Sequence, residues 1–487
     1  MHQKLSATWA GLRRWGSAHA AFLRTAGVWI GAFVIYAATT ARGVLPADSG
    51  EFQLVAWGWG IAHPPGYPLY TIATAVWTHL VPLGPALLRI NLFSAALAAT
   101  TVALCGRTVV LWARSTGASQ AKAEIGGLVS ALALGLAATF WAQATTANIR
   151  MPTMLFTACG YLALARYRAA QDQTSRQSRR QGRALIGLGL VVGLGIGHHP
   201  SLAFVAIGWA LYLVLLTPRL VVQPRRWLPV LVVAAAGWAL PQLYLPLRSS
   251  MENVPLNPSD LTTWSGFWDH VLARGFGGDM FAFATAQDLA QRLPLLPTLF
   301  RMQFPPLILL AMVLGWLWLF IKDHHIGLSL LASWLIQTFV TITYRAPQTV
   351  EYLMPAYIPM VLALGLALAR LPDGKERRGR AARLWQPVSR AIPLLSLLIL
   401  GLQAPGHIRD FALLAKDRSV RERIEPLLHT APEDALILAD WRWATPLWVL
   451  QTVEGLAPEV EVAYVYPEEG RAYEEVWRAR AEQASPR

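Results

Sequence analysis

The sequence predicts an all-helical protein that crosses a membrane many times and carries a small soluble α/β domain at its C-terminal end. Of the 487 residues, 54% are hydrophobic and only 14% are charged, and the mean hydropathy is +0.38. Soluble globular domains carry about 25% charged residues. Apolar stretches of roughly 16 to 22 residues recur along the chain, which is the length that a bilayer core requires of a helix. This composition excludes a soluble protein.

Eleven apolar segments are candidate transmembrane helices, so we expect about 11 crossings. They lie at about 25–41, 91–113, 124–143, 151–167, 184–199, 201–217, 228–247, 304–321, 326–343, 353–370 and 391–405. The basic N-terminal region with its apolar core would also suit a signal peptide. Because no clean A-x-A cleavage site follows it, we expect an uncleaved first span preceded by a tail at 1–24.

The distribution of Lys and Arg predicts the orientation of these spans. With the N-terminus in the cytoplasm, 24 of the 42 Lys and Arg residues fall in cytoplasmic segments and eight in outside loops. This bias follows the positive-inside rule, so the net charge of +14 reflects topology and not nucleic-acid binding. We expect a multi-pass plasma-membrane protein whose two long loops, at about 42–90 and 248–303, lie outside.

The chain changes character after the membrane domain, which we place at 25–405. Residues 406–487 are polar and charged and form a predicted soluble α/β domain. Strands are expected at 435–440 and 459–466 around a helix at 444–456, which makes a small βαβ unit, and an amphipathic helix follows within 468–483. Eleven spans put this domain outside the cell, whereas ten would put it in the cytoplasm.

Two carboxylates follow the first span at a spacing of three residues, Asp48 and Glu51. Ordinary helix chemistry explains them, since Asp48 suits an N-cap and Glu51 its N3 partner in a helix that runs to about Ile61. Capping would also hold both groups rigidly at the membrane surface, where a general base for a lipid-linked substrate must lie. The helix N-terminus would favour their ionised forms. The two interpretations are compatible, and both stay open.

Several other polar residues lie at the predicted outer edge of the membrane. His63 begins HPPGYPLY (63–70), a stiff turn in which Gly66 permits type II geometry, and it either contacts an anion or caps the turn. Arg89 enters the second span, where it either extends to the interface or neutralises a lipid phosphate. His198 and His199 are adjacent, so they are not expected to bind one metal; one of them contacts a phosphate, or both form an interfacial polar pair.

Three charged residues flank later spans. Arg248 ends the seventh span, and Arg345 and Glu351 flank the tenth. They either pair with each other or line a donor pocket. HExxH, GxSxG, P-loop and CxxC motifs do not occur in the sequence, which removes the common protease, hydrolase and NTPase interpretations.

The motifs of the first loop resemble the signatures of a large membrane family in the GT-C glycosyltransferase superfamily, which includes the transmembrane protein O-mannosyltransferases. The resemblance rests on DSGEF (48–52), HPPGYPLY (63–70) and RINLFSA (89–95), in this order and spacing. It continues at TFWAQA (139–144), GLGIGHHPS (193–201), YLPLRS (244–249) and EYLMPAY (351–357), and weakens in the soluble tail. It implies a GT-C-like fold, an active site on the extracytoplasmic face, a polyprenyl-phosphate-linked sugar donor and an acidic base in the first loop.

One segment departs from that family. Relatives tend to have an acidic Glu-Val-Tyr after the third span, where this chain has Asn148, Ile149 and Arg150. The resemblance implies that this difference alters the binding of the acceptor or of a metal ion.

The expected activity is therefore transfer of a sugar, with mannose as one option, from the polyprenyl phosphate to a protein, lipid or glycan acceptor, with inversion. Asp48 is the expected base, and Glu51 supports it by orienting the acceptor or by holding a divalent cation, Mg²⁺ or Mn²⁺. Donor contacts are expected from His63, Arg89, His198, His199, Arg248 and Arg345, and acceptor or loop positioning from Tyr67, Asn148, Arg150 and Glu351.

A transporter, a flippase or a non-catalytic scaffold for lipid-linked sugars is the alternative. It would not need Asp48, but the inverted repeats that would favour a transporter are not found in the sequence.

Overall fold

Helices make up most of the computed structural model, which describes residues 2–171, 175–346, 348–372, 380–466 and 472–484. The first eleven helices are α1 (His2–Ala38), α2 (Ala47–Gly58), α3 (Pro68–Leu80), α4 (Ala86–Ser115), α5 (Gln120–Gly135), α6 (Ala138–Ala144), α7 (Arg150–Ala169), α8 (Ser175–His198), α9 (Leu202–Leu216), α10 (Pro224–Gln242) and α11 (Tyr244–Ser249). The next seven are α12 (Trp264–Val271), α13 (Ala286–Arg292), α14 (Leu296–Arg301), α15 (Pro306–Lys322), α16 (His324–Thr343), α17 (Thr349–Tyr352) and α18 (Tyr357–Ala369). The last are α19 (Arg380–Gly401), α20 (Ala404–Leu414), α21 (Ser419–Thr430), α22 (Trp441–Glu454) and α23 (Tyr473–Ala484), with strands β1 (Leu436–Ala439) and β2 (Glu461–Tyr464).

A helix lies over each of the eleven predicted apolar spans. In the described part of the chain, six helical segments are long and apolar enough to cross a bilayer alone: His19–Ala38, Ala86–Ser115, Pro224–Ser249, His324–Thr343, Thr349–Ala369 and Pro387–Thr430. Counting two bent pairs as spans raises the number to eight. The prediction of a polytopic helical protein is confirmed, while the count of about 11 stays a prediction.

The span predicted at 124–143 is not one continuous helix. It breaks between α5 and α6, whose axes differ by 73°. The break frees the carbonyl of Gly135, which accepts a hydrogen bond of 2.8 Å from the Tyr36 hydroxyl. A backbone carbonyl in the membrane interior needs such a partner, so a side chain of α1 stabilises the bend.

The loops predicted to be cytoplasmic meet at one end of the helix bundle. Arg24 pairs with Glu124 at 2.7 Å, and the buried Asp323 accepts contacts from Arg168 at 2.8 Å and Arg370 at 3.5 Å. These residues come from five segments that the charge pattern assigns to the same side. The alternation of the helices therefore agrees with the prediction, and the orientation of the bundle relative to the cytoplasm stays a prediction.

Glycines let neighbouring helices approach closely, as is common in membrane bundles. Helices α8 and α10 meet at Gly193, where an added Cβ would lie 2.1 Å from the Ala234 carbonyl oxygen. Helices α5 and α18 meet at Gly126, where a Cβ would lie 2.3 Å from the Gly365 oxygen. The Gly-rich run before the two histidines thus serves helix packing.

The C-terminal segment contains the predicted βαβ unit. Strands β1 and β2 pair in parallel from Leu436 with Glu461 to Ala439 with Tyr464, and α22 connects them. This unit is not an isolated domain, because it shares an apolar core with the first loop. Phe52, Leu54, Val55, Ile424, Leu428, Leu447 and Leu450 are buried together in that core. The unit therefore lies on the same side of the bundle as the loop at 42–90.

Gly193→Ala should destabilise the bundle, whereas Gly187→Ala in the same helix should not. The methyl group at 193 would meet the Ala234 carbonyl, while a Cβ at 187 has nothing within 4 Å. Alanine favours a helix over glycine by up to about 1 kcal/mol, so Gly187→Ala is expected to be neutral or slightly stabilising. Thermal unfolding of the purified protein in detergent measures both, and equal melting temperatures for the two variants would contradict the packing of α8 on α10.

Candidate active site

Helix α2 carries both first-loop carboxylates, but not in the predicted capping arrangement. The N-cap is Pro46, and no side chain caps the helix. Asp48 lies inside the first turn, and Glu51 is fully buried one turn later. The prediction of an Asp48 N-cap with Glu51 as its partner is wrong, because both carboxylates bind other groups. The helix also ends at Gly58, before the predicted Ile61, because Trp59 adopts left-handed backbone geometry with φ 54°.

Both oxygens of Glu51 bind His63. One lies 2.5 Å from the His63 Nδ1 atom, and the other accepts a bond of 2.6 Å from the His63 backbone N–H. Burial lowers the pKa of His63, but the charge and hydrogen bond of Glu51, together with the charge of Asp48, outweigh it and raise that pKa above 6.5. His63 thus neutralises a buried carboxylate, so the anion that it contacts in the structure is a side chain of the same loop.

The turn after His63 contains a cis peptide bond between Pro64 and Pro65. It closes with a 2.8 Å bond from the Gly66 N–H to the His63 carbonyl. Gly66 has φ +91°, and a Cβ there would lie 2.9 Å from the His270 Nε2 atom. Glycine is therefore required for both conformation and space.

Asp48 completes a compact cluster with Glu51 and His63. One potential ligand atom from each residue lies within 4.8 Å of those of the other two. Two carboxylates and an imidazole are donors that suit Mn²⁺, and carboxylates also suit Mg²⁺. The Oδ1 atom of Asp48 accepts a hydrogen bond of 3.0 Å from the indole Nε1–H of Trp441, which lies in the C-terminal unit.

A cavity of about 230 Å³ adjoins this cluster and shares His63 with it. Aromatic rings form much of its inner wall: Tyr67 stacks on His199 with centroids 6.2 Å apart, and Tyr352 lies 6.1 Å from His199. Its other walls come from the second long loop and from α16. They include Leu272, Ala273, Phe276, Met280, Gln337, Val340, Thr341 and Tyr344. The cavity thus joins both long loops at one end of the bundle.

The two adjacent histidines have different surroundings. His198 is fully buried, and its Nε2–H donates to the Ile149 carbonyl at 2.8 Å. His199 lines the cavity, and its Nδ1 lies 2.7 Å from the Ser201 hydroxyl. His199 is therefore the member of the pair that a bound substrate can reach.

The segment that departs from the family pattern forms a capped helix start. The side-chain oxygen of Asn148 accepts bonds of 3.0 Å from the backbone N–H groups of Arg150 and Met151. The Arg150 guanidinium then pairs with Glu351 at 2.8 Å and lies 5.1 Å from the centre of the Tyr352 ring. Asn148 thus fixes the backbone that places the Arg150 guanidinium against Tyr352, a residue of the cavity wall.

The first-loop motifs lie in a segment that is similar to known proteins. Residues 48–221 match the family model described as the Protein O-mannosyl-transferase TMEM260 N-terminal domain. Protein O-mannosyl-transferase TMEM260 of Mus musculus is 26% identical over 246 residues, which cover 50% of this chain and 33% of that protein. The corresponding protein of Dictyostelium discoideum is 23% identical over 258 residues, which cover 51% and 30%. The chain thus matches about a third of the length of these relatives.

Among solved structures, ArnT from Cupriavidus metallidurans bound to undecaprenyl phosphate matches with a TM-score of 0.54 and 14% identity, over 96% of this chain and 89% of that one. The apo form of the same protein gives 0.53 and 14% identity, over 93% and 90%. The chain has a GT-C fold. The predicted GT-C-like fold is thereby confirmed, and the family match over residues 48–221 agrees with the resemblance that the first-loop motifs carry.

Three arginines that the sequence assigns to the donor do not line the cavity of this GT-C fold. Arg89 donates to the Thr78 carbonyl at 2.7 Å, and Arg248 donates to the carbonyls of Trp59 and Gly58 at the end of α2. Arg345 is exposed and lies 3.7 Å from Asp279, so the suggested Arg345–Glu351 pair is wrong; Glu351 pairs with Arg150. A donor contact for the three arginines stays a prediction.

The structure adds Trp441 and Tyr352 to the candidate site of the GT-C fold. Tyr352 lies within the EYLMPAY motif, so the resemblance carried a signal for it. Trp441 lies 393 residues from its partner Asp48 and belongs to the part of the chain where the resemblance weakens. Sequence reasoning had no signal for that contact.

The raised pKa of His63 predicts a pH-dependent contribution to stability. Because the folded pKa exceeds the unfolded value of about 6.5, this contribution is complete below pH 6.5 and is lost as the pH rises through the folded pKa. His63→Gln should therefore lower the melting temperature most near pH 6, and the difference from the wild type should shrink toward pH 9. Thermal unfolding in detergent with EDTA measures this.

The exposed His429 lies 3.7 Å from Glu425 and provides the control for that experiment. His429→Gln should have little effect at any of these pH values, because exposed ion pairs contribute little. A constant difference between wild type and His63→Gln across the range would contradict the charged His63–Glu51 pair.

Proposed function

We propose that the chain is a glycosyltransferase that moves a sugar from a polyprenyl-phosphate-linked donor to an acceptor hydroxyl. The reaction takes place at the end of the bundle that carries the first loop. The observation that carries this proposal is Asp48 beside the Glu51–His63 pair, next to a cavity lined by Tyr67, His199 and Tyr352. The GT-C fold supports the reaction class, and a fold neighbour binds undecaprenyl phosphate.

The relatives' names suggest the sugar and the acceptor. Both are described as protein O-mannosyl-transferases, so mannose is the proposed sugar and a protein hydroxyl the proposed acceptor. Lipid and glycan acceptors belong in the same test panel. The proposed location is the outer face of the plasma membrane, in accordance with the distribution of Lys and Arg.

Asp48 is the proposed general base. As the acceptor oxygen forms its bond to the anomeric carbon, its proton passes to the Asp48 carboxylate. The bond between the anomeric carbon and the phosphate oxygen breaks, and the phosphate departs with the electron pair. Since the lipid phosphate is already a good leaving group, no strong acid is needed. Attack on the side opposite the phosphate inverts the anomeric centre, and positive charge develops on the sugar ring as in glycoside hydrolysis.

Arg150 and His199 are the groups best placed to stabilise the departing phosphate. Both line a small pocket with Tyr352 and Glu351 that adjoins the main cavity through His199 and Tyr352. A guanidinium held at low dielectric binds phosphate strongly. Glu51 has both oxygens on His63, so its proposed role is to hold the turn and the charge of His63.

A divalent cation is a second proposed state of the cluster of Asp48, Glu51 and His63: it would replace the proton of His63, because only a neutral imidazole binds a metal. We expect EDTA to lower turnover and Mg²⁺ or Mn²⁺ to restore it, because a cation there would add positive charge near the leaving phosphate. Turnover in purified enzyme before and after chelation measures this. Unchanged turnover would assign charge stabilisation to the side chains alone.

Asp48→Asn should abolish most turnover while donor binding persists, since it removes the base and keeps the shape of the side chain. A loss of about 10²- to 10⁴-fold is expected for a general base. The assay follows transfer or hydrolysis of sugar from a panel of polyprenyl-phosphate monosaccharides by the detergent-purified protein. Asp269→Asn is the matched control, because Asp269 is exposed and pairs with Arg274 in the second long loop. Donor binding without turnover in wild type and variant would favour a transporter or a scaffold.

A further inference from the structure

The C-terminal unit reaches the candidate active site through Trp441. This residue is the first of α22, and its indole Nε1–H donates to Asp48 at 3.0 Å. The contact joins the proposed base to a part of the chain that lies outside residues 48–221, the segment that matches the family model.

The backbone beneath Trp441 is fixed by contacts that do not involve its ring. Asp440 caps α22 by accepting a bond of 3.2 Å from the Trp443 N–H. The Thr445 hydroxyl donates to the Ala47 carbonyl at 2.8 Å, at the start of α2. Gly50 allows this approach, since a Cβ at that position would lie 2.8 Å from the Thr445 hydroxyl oxygen. The first turns of α2 and α22 are therefore held directly against each other.

The indole ring itself is confined by other rings. Tyr464 of β2 lies 5.0 Å away, Trp448 of the same helix 6.1 Å away and His63 6.4 Å away, measured between ring centroids. His63 meets the indole edge-on at 85°. The direction of the Nε1–H group is thus set by the fold of the C-terminal unit before any substrate arrives.

We propose that Trp441 is a positioning residue for the glycosyl transfer. Its indole holds one oxygen of Asp48 in a fixed place and leaves the second oxygen to take the proton of the acceptor hydroxyl. A free aspartate at the edge of a helix samples several rotamers, and one fixed donor selects among them. This inference rests on the proposed function, and it makes the C-terminal unit part of the catalytic apparatus.

Attachment of the C-terminal unit does not depend on this one bond. The core shared by the first loop and the unit contains many buried apolar side chains, and the Thr445 bond adds a polar contact. Loss of the indole N–H should therefore leave the unit attached while releasing the carboxylate. A lower kcat in a variant whose C-terminal unit stays attached would therefore indicate a positioning role and not a merely structural one.

The test compares Trp441→Phe with Trp443→Phe in the whole chain in detergent. Trp443 is the matched control because it lies in the same helix and its indole ring contacts the guanidinium groups of Arg423 and Arg442, within the C-terminal unit. We expect Trp441→Phe to lower kcat by about 10- to 100-fold with little change in the donor KM, since misplacement of a reacting group by about 1 Å has effects of this size. Trp443→Phe should keep kcat within about threefold of wild type, and the melting temperatures of the two variants should be similar.

A second measurement reports the contact without depending on turnover. In protein labelled with ¹⁵N-tryptophan, the indole resonance assigned through Trp441→Phe should shift in Asp48→Asn, and that of Trp443 should not. Equal kcat for the two phenylalanine variants, or a change confined to KM, would overturn the inference. A wild type without turnover would overturn the proposed function and the positioning role with it, and the resonance would then show whether the contact exists as a structural bond.

Discussion

The candidate site depends on the cost of burying the Glu51 carboxylate. A buried charge without a partner is strongly unfavourable, and this one has no solvent exposure. His63 supplies both partners, through its ring and through its backbone N–H. The pairing fixes the distance between α2 and the turn at 63–66. The same turn places the ring of Tyr67 against that of His199, and these two rings form part of the cavity wall.

A second constraint comes from the first loop lying between the membrane bundle and the C-terminal unit. One side of α2 contributes Phe52 and Val55 to the core shared with α21 and α22. At its far end, the carbonyls of Gly58 and Trp59 are held by Arg248 of α11. A helix fixed at both ends and buried along its length can hold a carboxylate steadily at the edge of a membrane. Arg248, which suggested a phosphate contact, thus binds backbone carbonyls where two chain segments meet.

The motifs of the first loop predicted more of the site than their local chemistry did. DSGEF and HPPGYPLY identified the residues that form the Asp48–Glu51–His63 cluster, and the resemblance to GT-C membrane glycosyltransferases agrees with the fold. The capping box failed, although the spacing is that of a capping box. The reason is that a carboxylate can accept a hydrogen bond equally well from a nearby backbone N–H or from an imidazole or indole that is distant in the sequence. Only the packing of the chain decides which of these partners is close.

By itself, the sequence determined the membrane class, the alternation of the basic loops and the βαβ unit. Each of these depends on composition or on a local period, namely apolar length, Lys and Arg distribution, and the alternation of strands. The tertiary structure alone decided that Asp48 meets Trp441, that Arg150 pairs with Glu351 and that the C-terminal unit packs on the first loop. These contacts join segments far apart in the chain. They arise because buried charges and apolar faces must find partners wherever the fold brings them together.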